Sequence, residues 1–161
     1  MAIKKNAKKY KQAVSPQALT TREKVTRYMR ANKSRNTQPE LLLRRALWKE
    51  GLRGYRIHWR KAPGKPDICY PSRRLAIFVH GCFWHRCPHC QPAFPKSNLR
   101  FWEEKFTSNQ QRDERYKIQY REAGWQRVVI WECQLYQDLD ACLGLIKVLH
   151  RGVPASWEVA A

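Results

Sequence analysis

Leu75-Ala-Ile-Phe-Val-His80-Gly-Cys-Phe-Trp-His85-Arg-Cys-Pro-His-Cys90 decides the reading of this chain. Its first five residues, Leu75 to Val79, form an uninterrupted apolar run of the kind that fills a buried strand. The next eleven, His80 to Cys90, hold three histidines, three cysteines and the adjacent aromatics Phe83 and Trp84. A core strand has no use for that density of imidazole and thiol, so a functional site is expected where this strand ends.

Upstream, Ala62-Pro-Gly-Lys-Pro-Asp67-Ile-Cys-Tyr70 brings one aspartate through a Pro- and Gly-rich turn to the start of a short apolar strand. Two adjacent strands with an acid at the edge of the first resemble the PD-(D/E)xK nuclease core. There, acids on a strand pair hold Mg²⁺ against a scissile phosphate. Thr37-Gln38-Pro39-Glu40 before that is a capping-box pattern with proline in the first turn. The spacing predicts a helix with Leu41, Leu43, Ala46, Leu47 and Trp48 on its apolar side, ended by Gly51. Tyr55 to Trp59 alternates enough to predict a short strand, with His58 in a structural role. Downstream, a long amphipathic helix is expected over Leu99 to Glu122, with Phe101, Trp102, Phe106, Ile118 and Tyr120 among basic residues. Gly124 closes it. Gln126 to Trp131 reads as a further strand and Leu135 to Leu149 as a closing helix. The order predicts an α/β fold, a central mixed sheet flanked by helices.

Charge narrows the partners. The 161 residues carry 32 Lys and Arg against 13 Asp and Glu, a formal net charge of +19. A field of that sign recruits polyanions, nucleic acid first among them. Eleven basic residues and one acid fall before residue 36, so much of the excess lies at the N-terminus. Residues 1–20, with Lys4, Lys5, Lys8, Lys9 and Lys11, read as a disordered basic arm. Residues 21–150 read as one domain and residues 151–161 as a tail. Met29, between Arg27 and Arg30, is chemically suited to wedge into a base step, and the two arginines are DNA-binding candidates beside it. No apolar run approaches the roughly 20 residues of a spanning helix. The lysine-rich start lacks the apolar stretch of a signal peptide. The expected setting is therefore the cytoplasm, without membrane contact.

Six cysteines in such a chain suggest a metal or reduced thiols rather than disulfides. Cys82-x4-Cys87-x2-Cys90, with Cys133 far downstream, offers four thiolates, enough for a closed tetrahedral structural zinc site. His89 is an alternative to Cys90. Cys69 and Cys142 lie in apolar segments and read as small hydrophobes.

The stretch His80 to His85, with Pro63-Gly-Lys-Pro-Asp67 and Trp131-Glu-Cys133, resembles the very-short-patch mismatch repair endonucleases (Vsr). Asn98-Leu-Arg-Phe-Trp102-Glu-Glu-Lys105, Asn109, Arg112-Asp113 and Gly124-Trp125 extend the likeness, which covers about residues 22–136. It implies a DNA endonuclease that nicks one strand 5′ to the thymine of a T:G mismatch left by 5-methylcytosine deamination. It also implies Mg²⁺ on Asp67 and on the main-chain carbonyl of Val79, since Val79 and Gly81 stand where the usual core has its second acid and lysine. His85 is then the general base, a task to which an imidazole side chain is chemically suited. His80 assists, and Glu40 lies beside the site. The four cysteines become the favoured zinc ligands. Phe83 and Trp84 become wedges entering from one groove, with Met29 entering from the other. A monomer with possible mismatch-repair partners is expected. The competing readings are a site-specific nuclease of a restriction-modification system and a non-cutting, zinc-stabilised DNA-binding protein.

Overall fold

The computed structural model describes residues 35–152. The basic arm, the last nine residues, and Arg27, Met29 and Arg30 lie outside them. Helix α1 (Gln38–Lys49) leads through a long loop to strand β1 (Ile68–Tyr70), a single 3-10 turn (Pro71–Arg73) and strand β2 (Leu75–His80). Helix α2 (Leu99–Glu122) and strand β3 (Gln126–Trp131) follow, then helices α3 (Glu132–Gln137) and α4 (Leu139–His150). The sheet order is β1-β2-β3, with β2 antiparallel to β1 and parallel to β3. The mixed three-stranded sheet with helices agrees with the expected α/β class.

Side chains alternate across a strand, and here both faces are covered. Leu75 and Ile77 of β2 join Ile68, Tyr70 and Ile130 against Leu43 and Leu47 of α1, Leu135 of α3, and Leu143, Ile146 and Leu149 of α4. Ala76 and Phe78 face the other way, onto Tyr120 of α2 and Ala62. This explains why β2 reads as a continuous apolar run: it is the central strand of a sheet packed on both sides.

Four local expectations are corrected. Tyr55–Trp59 forms no strand; only a single bridge, Arg56 to Cys69, survives there. His58 sits in left-handed backbone at φ 46°, which breaks the extended run. The closing segment is two helices, because Asp138 stops α3 and caps α4 by accepting the Ala141 N–H at 2.8 Å. Trp48 is not on the buried side of α1: it is exposed beneath the Arg53 guanidinium, about a quarter-turn away from Leu47. On α2, Phe101 and Ile118 also face outward. Cys69 and Cys142 are buried, as small hydrophobes should be.

The Pro63-Gly-Lys-Pro66 turn is clamped to α2. The Tyr120 hydroxyl donates to the Pro63 carbonyl at 2.7 Å, and the Tyr116 ring lies against Gly64. Gly64 has φ +69°, and a Cβ there would stand 2.7 Å from the Tyr116 ring. Gly64→Ala combines a left-handed conformation disfavoured by about 1–2 kcal/mol with a steric clash. We expect a loss of at least about 2 kcal/mol in urea unfolding. An unchanged midpoint would show that the turn relaxes freely.

Candidate active site and cysteine cluster

Three groups of side chains gather around the end of β2. Asp67 immediately precedes β1, opposite the final residues of β2. Its Oδ2 accepts the Val79 N–H at 2.8 Å, replacing a ladder bond that the short β1 does not make. Burial pushes this carboxyl up to about 7; the Val79 N–H opposes the rise and the nearby Glu40 charge adds to it. Glu40, on the first turn of α1, is buried. Its Oε1 accepts from the Thr37 N–H at 3.3 Å and hydroxyl at 2.9 Å, so the capping role is real. Its Oε2 takes the Arg44 guanidinium at 2.7 Å and the Asn36 N–H at 3.0 Å. Between Glu40 and Asp67 stands His58, and a ligand atom from each of the three lies within 4.8 Å of the other two. Sequence reasoning assigned His58 a structural role; the structure places it among the acids.

A second group lies one residue further along β2. His80 is buried and its ring stacks on that of His85, with centroids 3.8 Å apart and 18° between planes. The Nδ1 of His85 is hydrogen-bonded to Asp113 Oδ2 at 2.5 Å. Burial, aided by the neighbouring His85, pushes His80 down to about 3, so its imidazole is neutral at neutral pH. Burial would raise the Asp113 carboxyl, but the His85 hydrogen bond and charge outweigh it and hold the group below its ordinary range.

Asp113 was legible only as part of a resemblance, and Asn109 likewise. A plainer signal was available. Phe106, Asn109, Asp113, Tyr116 and Tyr120 recur at spacings of three and four, one stripe of α2. Two polar residues inside such a stripe need partners. Asn109 is buried and donates to the Trp84 carbonyl at 2.8 Å; Asp113 takes His85. Phe83 and Trp84 are half-buried and pack in mutually edge-on fashion, beside Trp102 and Phe106.

The third group is Cys82, Cys87, Cys90 and Cys133, whose four Sγ atoms lie within 4.8 Å of one another. Cys87 and Cys133 Sγ are 3.7 Å apart. Thiolates on a tetrahedral zinc at about 2.3 Å stand about 3.8 Å apart, so the donor set and its spacing fit that ion. The Cys133 N–H points at Cys82 Sγ at 3.3 Å. Burial raises the Cys82 thiol. For Cys87 burial acts the same way, but the N–H groups of Cys90 and His89 prevail and hold the thiol below its usual range. Cys90 joins the other sulfurs, whereas the His89 ring lies beside Gln134 and Trp131.

A family model described as DNA mismatch endonuclease Vsr matches residues 18–91. A type II nicking enzyme, V.XorIIP of Xanthomonas oryzae pv. oryzae, is 43% identical over 113 residues, 70% of this chain and 82% of the relative. The chain belongs to the Vsr family. The DNA mismatch endonuclease Vsr of Escherichia coli K12 is 39% identical over 108 residues, 66% of this chain and 68% of that protein. The type II nicking enzyme V.NaeI of Lentzea aerocolonigenes is 37% identical over 130 residues, 78% of this chain and 76% of the relative. Among the described residues, no helix of this Vsr-family protein is long and apolar enough to cross a membrane.

Proposed function

We propose that this Vsr-family DNA endonuclease nicks one strand of duplex DNA 5′ to the thymine of a T:G mismatch, in a Mg²⁺-dependent reaction on a PD-(D/E)xK-like core. The observation that carries it is the convergence at the end of β2 of a half-buried carboxylate, Asp67, and a carboxylate-tethered imidazole, His85. A cutting enzyme needs both groups, and a DNA-binding protein needs neither.

The donor set around Asp67 fits a hard divalent cation. The Asp67 carboxyl is costly to ionise without a positive partner, and Val79 turns its N–H to it. In an extended strand the N–H and C=O of one residue face the same neighbour, which puts the Val79 carbonyl on the same side. When bound, Mg²⁺ would polarise the scissile phosphate and offset charge that builds on it. With Nδ1 engaged by Asp113, the proton-accepting atom of His85 is Nε2, placed to deprotonate an attacking water. His80, neutral and stacked on His85, fixes the plane of that ring and offers a hydrogen bond to phosphate or water. Glu40, anchored by Arg44, braces the rear of the site. Phe83 and Trp84, with Met29 from the segment that follows the basic arm, serve as wedges into the base stack. Cys82, Cys87, Cys90 and Cys133 would hold a structural zinc, and with it these side chains would fasten the loop bearing His85 to the end of β3.

A second reading has support in the names of the relatives, several of them type II nicking enzymes: a nicking partner of a restriction-modification system. One assay separates the two. Nicking is measured on T:G and matched duplexes of several sequences, with and without Mg²⁺, for the wild type and Trp84→Ala. We expect one-strand cleavage of T:G duplex that requires Mg²⁺ and falls at least about tenfold in Trp84→Ala, since unstacking a base step is worth a few kcal/mol. Binding to matched DNA, driven by phosphate charge, should change little. Equal cutting of matched and mismatched duplexes would remove the mismatch reading.

A further inference from the structure

We propose that His58 is a ligand of the divalent cation held by Asp67, making the centre a mixed nitrogen–oxygen site that prefers Mn²⁺ to Mg²⁺. The inference rests on the proposed role of Asp67 and extends it to a residue from a different segment. Nδ1 of His58 lies 3.8 Å from Asp67 Oδ1, the carboxylate oxygen not taken by the Val79 N–H. A cation bridging these atoms at about 2.1–2.2 Å from each fits between them with little movement of either side chain.

The far side of the ring is arranged as metal-bound histidines require. Such a ring donates its other N–H to a carboxylate, which fixes the tautomer and raises ligand basicity. Nε2 of His58 faces Glu40 Oε2 at 3.7 Å, and Glu40 is itself held by Arg44 and the helix cap. Arg44 Nη2 also approaches the same Nε2 at 3.2 Å, a contact that suits the tautomer protonated on Nδ1. Cation binding at Nδ1 moves the ring proton to Nε2 and makes Glu40 its acceptor. Glu40 thereby acquires a function beyond capping, as the positioning residue behind a ligand. His58 is mostly buried and left-handed at φ 46°, a conformation that turns its side chain back between two acids rather than along a strand. Imidazole favours transition metals over Mg²⁺, which prefers oxygen ligands and retained water.

The test is spectroscopic and needs no turnover. Zinc-loaded protein is titrated with Mn²⁺ alone, and pulsed EPR reads directly bound ¹⁴N on the manganese. Wild type should show imidazole nitrogen coupling. His58→Asn, which tolerates left-handed backbone, should lose it and reduce the ratio of Mn²⁺ to Mg²⁺ affinity at least about tenfold. His58→Gln provides a second variant if the asparagine protein melts early. Absence of nitrogen coupling in the wild type would overturn the proposal, as would coupling that survives in both variants and so arises from His80 or His85. Asp67→Ala is the control: unchanged Mn²⁺ binding there would defeat the cation role of Asp67 as well, a failure distinct from loss of the nitrogen signal alone.

Discussion

Asp67→Ala is expected to bind duplex DNA as well as the wild type and to nick it at least about a thousandfold more slowly. Loss of one preorganised group that stabilises transition-state charge costs about a hundred- to a thousandfold, and here a cation would be lost with its carboxylate. DNA affinity survives because phosphate contacts from the basic surface supply it. Nicking at near wild-type rate would place the cation elsewhere. The same carboxylate predicts a pH dependence. Its folded value, about 7, lies above its ordinary 3.8, so without a divalent cation the folded state holds the proton more tightly than the unfolded chain. The stabilisation is complete below about pH 4 and is lost as pH rises through about 7. Zinc-loaded wild type without added Mg²⁺ should therefore melt earlier as pH increases over that window, and Asp67→Ala should not show this trend. Cation affinity should fall about tenfold per unit below pH 7, because a proton must be displaced.

Cys133→Ser should lose bound zinc and with it the native fold of the segment from Cys82 to Cys90. Structural zinc is worth about 10–16 kcal/mol in small domains, far more than the ordinary margin of stability. The effect is large here because Cys133 lies just past β3 while its three partners follow β2. A zinc ion there would tie the ends of two parallel strands and set the loop that carries Phe83, Trp84 and His85. Metal content by mass spectrometry and melting by circular dichroism check this together. A zinc-free variant that melts like the wild type and still nicks DNA would reject the structural role.

Much of this was legible in the residues. The apolar run from Leu75 to Val79 announced the central strand because both of its faces are buried, and Gly51 and Gly124 marked helix ends that stand nearly where expected. The cysteine spacing announced its cluster because a thiol group of four at such intervals has little other use. The place of His58 was hidden for a physical reason. Its neighbours alternate like a strand, and nothing in one dimension shows that a left-handed residue turns its ring between Glu40 and Asp67, eighteen and nine positions away. Asp113 and Asn109 looked like polar residues on a helix that already has many. Only the stripe they share with Phe106 and Tyr120 separates them from the solvated face. The break at Asp138 was hidden because α3 and α4 together keep a nearly continuous apolar pattern.

Helix α2 holds Trp84 by its main chain through Asn109 and, one turn further on, His85 through Asp113. If Phe83 and Trp84 enter the duplex, the loop cannot adapt to the base stack without also moving the ring that activates water. Fidelity would then be set by kcat rather than by affinity. A matched duplex could be occupied for as long as its charge dictates, yet leave His85 out of line, and only a step that yields to the wedge would commit the enzyme to an incision. Scanning along a genome of well-paired DNA would cost the host no breaks.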